Sequence, residues 1–440
     1  MHMLILAAPP PGREERRRAL GMSADASSWQ DLEGLGRPRV SDGHVAAFVA
    51  ERFGLAVATI TRLTGERDLN FRATTAEGRS YVVKVANAGE SKDQLECEHA
   101  AMLHVAQHAA RESEGSPTLA TPMPVSLCDG DGATIASIVA DDGKEPPAQY
   151  LVRVLTFIEG NMWSGSELAP DFLASLGRAA ASLDVSLLSF SHPAAAREHA
   201  WDLGACQATV RGYLSDLEAE EERALVLHFA ALHQSEVAPL LGTAARDRLA
   251  SRPRRTSVAA PRERACPPPT RQQLAHLARR PGVCARAVPR SVVHQDLNDN
   301  NVVCDGAGRV SGVIDFGDMS LTETANNLAV ALAYAFFGRP DPLAVLAQMV
   351  RGYVALRPLG EAELRCLFPL ACMRVCTTVV MAAHSVKLDP ENAEYLTISQ
   401  KPAWEALKVL RTVDPPKAAA TALEAGAPPA PAGGGGGVSV

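Results

Sequence analysis

No run of 18 or more apolar residues occurs in the chain, so the sequence by itself offers no bilayer-crossing helix. Positive charge is not in surplus. The 43 Lys and Arg stand against 50 Asp and Glu, a net charge of -7 with a pI near 6.0, which argues against a nucleic-acid or anionic-membrane partner. The basic clusters Arg16-Arg17-Arg18 and 252–255 lie in stretches that read as disordered. No C-x-x-C spacing appears among the nine Cys, and Cys372 and Cys376, four apart in an expected helix, suit packing better than metal binding. A reducing cytoplasm is the expected home. There is no internal repeat. The opening residues 1–8 are apolar but short, lack a basic leader and meet prolines at once, so they make a poor signal peptide. Met22 is a candidate start.

What is present is enough for a large core. At 440 residues and 47% hydrophobic, the chain suits two or three folding units. Residues 1–39 are rich in Pro, Arg and Ser and read as a disordered tail. From Val40 the pattern becomes regular. A short helix is expected over 43–53, strands over 55–63, 69–75 and 80–85, a helix over 91–111, and strands over 133–139 and 150–157. These make a five-stranded antiparallel sheet with its helix, a small unit spanning 40–158.

After Glu159-Gly160 the spacing turns mostly helical, at 171–188, 217–232, 328–337, 343–356, 362–384 and 403–413, within a second unit spanning 159–413. A Pro- and Arg-rich stretch at 243–280, with Cys266-Pro267-Pro268-Pro269, cannot bury a core and reads as an exposed insertion. Residues 414–440, ending in a run of five Gly, read as a flexible tail. The fold class is α+β, two lobes of unequal size. A cleft between such lobes is a common ligand site.

Chemistry concentrates at 292–318, where short strands at 290–293, 301–304 and 310–314 frame a loop. The loop reads His294-Gln295-Asp296-Leu297-Asn298-Asp299-Asn300-Asn301, and Asp315-Phe316-Gly317 follows. This is the spacing of the kinase catalytic loop H-R-D-x-x-x-x-N and its metal-binding D-F-G, with Gln at the Arg position. The three loop letters alone would arise by chance in about one chain in twenty of this length. The added triplet lowers that by a factor of several hundred, roughly. Either Asp alone is at home in an ordinary turn. The pair is not, and loops held by strands are where catalytic groups usually sit.

A kinase also needs a Lys on its third strand and a Glu on the following helix. Lys84, in Tyr81-Val82-Val83-Lys84-Val85, is on the third expected strand. Glu98 shares a helix side with Met102, four residues on, and is preferred over Glu96. His104 and His108 read as a surface pair, since no third ligand stands at useful spacing. The first hairpin, Gly65-Glu66-Arg67-Asp68-Leu69-Asn70-Phe71, lacks the triple glycine of a phosphate loop. Arg67 and Asn70 could supply donors there, and an ordinary polar turn fits equally.

On these residues the chain resembles the aminoglycoside phosphotransferase (APH) family over roughly 40–413. The Gly65 hairpin, the 294–301 loop and Ile314-Asp315-Phe316-Gly317-Asp318-Met319 look most like the branch that contains hydroxylysine kinase. The resemblance implies a protein-kinase-like two-lobe fold and transfer of the γ-phosphoryl group of GTP or ATP to a hydroxyl. It implies Asp296 as catalytic base, Asn301 and Asp315 as ligands of Mg²⁺, Lys84 as nucleotide-binding with Glu98 steadying it, and a purine-facing hinge near 155–158. Gln295 departs from the usual Gly or Asn, and Asn327 stands where many members have Glu. The acceptor is expected to be a small cationic, hydroxyl-bearing metabolite, 5-hydroxy-L-lysine first. Choline, ethanolamine, homoserine and aminoglycosides follow, and Asp299, Asp318 and Glu323 are the nearby carboxylates. A nucleotide-binding pseudokinase scaffold is the rival from another class. A protein kinase is a weaker rival, since no Ala-Pro-Glu triplet follows Asp315.

Overall fold

The structure, a computed structural model, describes residues 37–65, 67–112, 119–144, 147–166, 168–241 and 288–428. Nearly all of the tail expected at 1–39, the whole insertion expected at 243–280, and 429–440 lie outside the described residues. Helix α1 (Asp42–Phe53) opens on Ser41, whose hydroxyl accepts from the His44 amide, and closes at Gly54 with φ 66°, a left-handed stop that suits glycine. Strands β1 (Val57–Leu63), β2 (Leu69–Thr75) and β3 (Ser80–Val85) follow, then α2 (Lys92–Glu112), β4 (Ile135–Val139) and β5 (Gln149–Thr156). The strands form one five-stranded antiparallel sheet, as the sequence predicts, in the order β1-β2-β3-β5-β4. Alternation works as the pleat requires: in β2 every second residue is buried. Phe71, Ala73, Val83, Val85, Val152 and Val154 pack with Val45, Val49 and Phe53 of α1. Each fully buried Val or Phe side chain among them contributes about 1.5–3 kcal/mol.

The second lobe begins with β6 (Asn161–Met162), α3 (Phe172–Leu187), α4 (Cys206–Tyr213) and α5 (Glu220–Glu236). It continues through β7 (Arg290–Val293), β8 (Val302–Cys304), β9 (Val310–Val313) and β10 (Ser320–Glu323). It ends in α6 (Ala325–Ala335), α7 (Pro342–Val354), α8 (Glu361–Leu388), α9 (Ala393–Leu396), α10 (Gln400–Leu410) and α11 (Pro415–Gly426). Two small sheets, β6-β8-β9 and β10-β7, carry the loops of interest. Helix α8 is long and apolar enough to cross a membrane, yet 94% of its most apolar stretch is buried inside this lobe. It is the core helix on which α4, α5, α6, α10 and α11 pack. The segment at 119–125 ties the lobes together. Ala120 exchanges hydrogen bonds with Ser311 and Val313 of β9, and the Val125 amide donates to Val154 of β5.

The expectation of a flexible tail from 414 is corrected. Asp414 caps α11 by accepting from the Lys417 amide, Pro415 and Pro416 sit where a helix start tolerates them, and Ala418, Ala422 and Ala425 are buried against α7 and α8. An alanine stripe is too weakly apolar to stand out in sequence. It packs because small side chains let helices approach closely.

The same logic operates where α3 meets α7. A Cβ on Gly352 would stand 2.1 Å from the Ala174 carbonyl oxygen, and one on Gly177 would stand 2.1 Å from that of Met349. Backbone cannot yield as a flexible side chain can. Gly352→Ala is therefore expected to cost about 1–3 kcal/mol through overpacking, read as a lower apparent Tm in thermal unfolding. An unchanged Tm would show that this helix pair separates freely.

Candidate active site

The loop between β7 and β8 and the turn after β9 meet beneath the first lobe. Each carries a residue with positive φ that is not glycine, Gln295 at 63° and Asp315 at 61°. Such conformations cost about 1–3 kcal/mol and persist only where surroundings enforce them. At Gln295 the enforcement is visible. Its amide donates to Asn327 Oδ1 (3.2 Å), its Oε1 accepts from the Leu203 amide (3.0 Å), and its Nε2 donates to Ser320 Oγ (2.5 Å). Asn327 in turn donates through Nδ2 to the buried Asp184 (2.7 Å), whose other oxygen accepts from Tyr353 (2.5 Å). An amide can accept and donate at once, which a Glu at 327 could not do. Burial pushes the Asp184 carboxyl up to about 7 against these donors and Arg357.

The next residue is Asp296. Its Oδ1 accepts from Asn298 Nδ2 (3.0 Å) and Arg374 Nη2 (2.8 Å), and its Oδ2 accepts from Asn301 Nδ2 (2.5 Å). Burial pushes the pKa of this carboxyl above the usual carboxylate range, Asp318 adds to the effect and Arg374 opposes it. His294 is wholly buried and stays neutral, pushed down to about 4 by that burial. Its Nδ1 accepts from the Asp296 amide (3.2 Å) and its Nε2 donates to the Ile314 carbonyl (3.1 Å), so it struts one loop against the other.

Asn301 lies opposite. Its carbonyl accepts from the Ile314 amide (2.9 Å), which sets it beside Asp315. Its Nδ2 is spent on the Asp296 carbonyl and Oδ2, turning Oδ1 away as a free hard donor. Two oxygen-bearing side chains fit a cation that a nucleotide brings with its phosphates, since Mg²⁺ takes few protein ligands. Among the described residues no cluster of three or more His, Cys, Asp or Glu is placed to hold a metal.

Lys84 reaches this turn from the other lobe. Its Nζ lies 3.1 and 3.0 Å from the two Asp315 oxygens. Burial works against the Asp315 carboxylate, yet Lys84 and Arg153 outweigh it and hold the acid well below the usual carboxylate range. The Lys84–Glu98 pair expected from the sequence is not the bond formed. Glu98 is buried on α2 as expected, but its partner is Arg153 Nη1 at 2.5 Å, while Lys84 only acts on its charge from nearby. Arg153 sits directly across from Lys84 in the β3–β5 register, so its longer reach intercepts the carboxylate. Glu96 is exposed and pairs with Lys92. At 155–158, where the resemblance implies a hinge, the Thr156 and Phe157 amides donate to the Met123 and Ser80 carbonyls.

Of the three nearby carboxylates, Asp318 faces the site, 3.9 Å from His199 Nδ1. Glu323 is turned to Thr322 and Arg290, and Asp299 uses its carbonyl to hold the Ser164 amide. Sequence reading missed the 197–203 segment altogether. Arg197 donates to the Gly317 carbonyl, and both His199 ring nitrogens are buried without a hydrogen-bond partner. No spacing signal links this segment to a loop a hundred residues on. Arg153 and Arg374 did carry a signal, a lone charge within an apolar element, the same mark that singled out Lys84. Arg153→Met should leave Glu98 buried and unpaired and cost about 3–5 kcal/mol, whereas the double variant Arg153→Met with Glu98→Met recovers most of that loss. Urea unfolding of the three proteins measures both.

Comparison with known proteins places the chain in a family. The model of the phosphotransferase enzyme family (APH) matches residues 59–365. Hydroxylysine kinase of Bos taurus is 28% identical over 400 residues, spanning 86% of this chain and 91% of that protein. Hydroxylysine kinase of Mus musculus is 26% identical over 408 residues, 88% and 93% of the two. Among solved structures, an amicoumacin kinase in complex with AMP-PNP and Ca²⁺ superposes with a TM-score of 0.56 at 14% identity, over 86% of this chain and 97% of that one. A microcompartment-associated aminopropanol kinase gives 0.54 at 16%, over 87% and 97%. At such identities these two likenesses speak for the fold.

Proposed function

This chain belongs to the phosphotransferase enzyme family and is a nucleotide-dependent kinase acting on a hydroxyl group of a small molecule, and from that premise we propose that it phosphorylates 5-hydroxy-L-lysine, with GTP or ATP as donor and Asp296 as base. The observation that carries the site reading is the joining of two pairs, Asp296 with Asn301 and Lys84 with Asp315, through one backbone bond between Asn301 and Ile314. The acceptor assignment is supported by the relatives' activity as named and by Asp318, a carboxylate beside the base that suits an ammonium group. The described cysteines are all free, which supports a reducing compartment such as the cytoplasm.

In the proposed reaction the acceptor oxygen attacks the γ-phosphorus, the bond to the bridging β-phosphate oxygen breaks, and the nucleoside diphosphate leaves. The hydroxyl proton passes to Asp296. Oδ1 already accepts two hydrogen bonds and Oδ2 one, so Oδ2 is the oxygen with room to receive it. The transition state is loose, so orientation of the hydroxyl matters more than basic strength. Lys84 contributes charge at the phosphates. Asn301 Oδ1 and Asp315 would hold Mg²⁺, which supplies neutralisation of charge developing on the phosphate oxygens.

Asp296→Asn should retain Mg²⁺-nucleotide binding, seen as thermal stabilisation, and lower kcat by about 10²- to 10⁴-fold. Turnover near the wild-type rate would remove Asp296 from the mechanism. Across a panel pairing ATP and GTP with 5-hydroxylysine, choline, ethanolamine, homoserine and an aminoglycoside, 5-hydroxylysine should give the highest kcat/KM. A protein that binds nucleotide and phosphorylates none of them would be a scaffold instead.

A further inference from the structure

We propose that Arg374 is a positioning residue for phosphoryl transfer: from the centre of α8 it fixes the Asp296 carboxylate from behind and locks it to the 197–203 segment at Trp201. The inference rests on the reading of Asp296 as the base.

Arg374 is the largest fully buried side chain described, and its side chain is 2% exposed. It is the only Lys, Arg, Asp or Glu between Arg365 and Lys387, in a helix long and apolar enough to cross a membrane. A guanidinium out of water costs several kcal/mol unless it is fully engaged. An apolar residue of similar volume would suit the core of this lobe better, so stability is a poor reason for an Arg here.

Its partners give a better one. Nη2 donates to Asp296 Oδ1 at 2.8 Å, and Nη1 donates to the Trp201 carbonyl at 3.1 Å. The Trp201 ring centroid lies 4.7 Å from the guanidinium carbon, and that of Tyr334 on α6 lies 5.8 Å away. A planar fork spaces its two nitrogens rigidly, so the base and the Trp201 backbone are held at a set separation. With Asn298 on the same oxygen, the carboxylate cannot rotate. Its Oδ2 is then presented away from α8. The segment so fixed also carries His199, whose unpartnered ring faces Asp318. A Lys would supply the charge as a single point and could not span both partners.

Steady-state kinetics with 5-hydroxylysine and the preferred nucleotide, together with nucleotide binding, tests this on wild type, Asp296→Asn, Arg374→Ala, Arg374→Lys and the Asp296→Asn/Arg374→Ala double variant. Arg374→Ala should lower kcat about 10²-fold, the penalty of a misplaced reacting group, with nucleotide Kd unchanged. Arg374→Lys should lose at least about tenfold, which a single-point charge predicts. Added guanidinium should restore part of the Arg374→Ala rate and none of the Asp296→Asn rate. The double variant should be no slower than Asp296→Asn. A role in folding alone would make the two losses multiply, and that result, or Arg374→Ala within twofold of wild type, overturns the proposal. If Arg374→Ala does not fold, a wild-type kcat in Arg374→Lys overturns it. Full activity in Asp296→Asn, or no turnover by wild type on any acceptor, defeats instead the reading of the site beneath it.

Discussion

A carboxylate, ammonium or guanidinium taken out of water costs several kcal/mol unless an opposite charge meets it with good geometry. The cleft of this protein does this three times, with Lys84 on Asp315, Arg153 on Glu98 and Arg374 on Asp296. Each couple joins segments far apart in the chain. The first ties the sheet of one lobe to the turn after β9 in the other, the second ties α2 to the sheet, and the third ties the core helix of the second lobe to the 294–301 loop. Satisfying these charges and closing the cleft are one event. A chain that packed its apolar faces but missed this arrangement would bury unpaired charge, so the site helps to select the fold that carries it.

The backbone obeys the same demand. Gln295 and Asp315 both adopt left-handed φ, one just before Asp296 and the other at the turn that Lys84 reaches. Glycine and asparagine take that conformation at least expense, which is why a Gly or Asn pattern before Asp296 makes physical sense. This chain uses Gln instead. Its long amide reaches Leu203 and Ser320, contacts that a shorter residue could not make, and so recovers in hydrogen bonds what the backbone loses in strain. Asn327 is the matching change, accepting from Gln295 while donating to Asp184. The two departures from the family pattern act together: Gln295 anchors the 202–205 turn to the 294–301 loop, and Asn327 ties that loop to Asp184.

Much of this was legible before any coordinates. Alternation of apolar residues gives the five strands of the first lobe to within about two residues, because a half-buried sheet writes its pleat into the sequence. The 294–301 loop and the triplet at 315–317 are legible because their spacing is local: Asp296, Asn301 and Asp315 are brought together by one β-hairpin. Helix α11 was not legible. Its buried face is alanine, and what makes that face a core is the close approach of α7 and α8.

The sequence by itself determined which chemistry is possible, since the acids, amides and lysine of phosphoryl transfer sit at short, readable separations or at a set place in a strand order. Only the tertiary structure decided the partnerships: that Glu98 goes to Arg153 and not to Lys84, that Lys84 goes to Asp315, and that Arg374 and the 197–203 segment belong to the site at all. The reason is that a charge in low dielectric takes the nearest well-aligned partner, and nearness across 55, 78 or 231 residues of chain is set by packing, which no local pattern records.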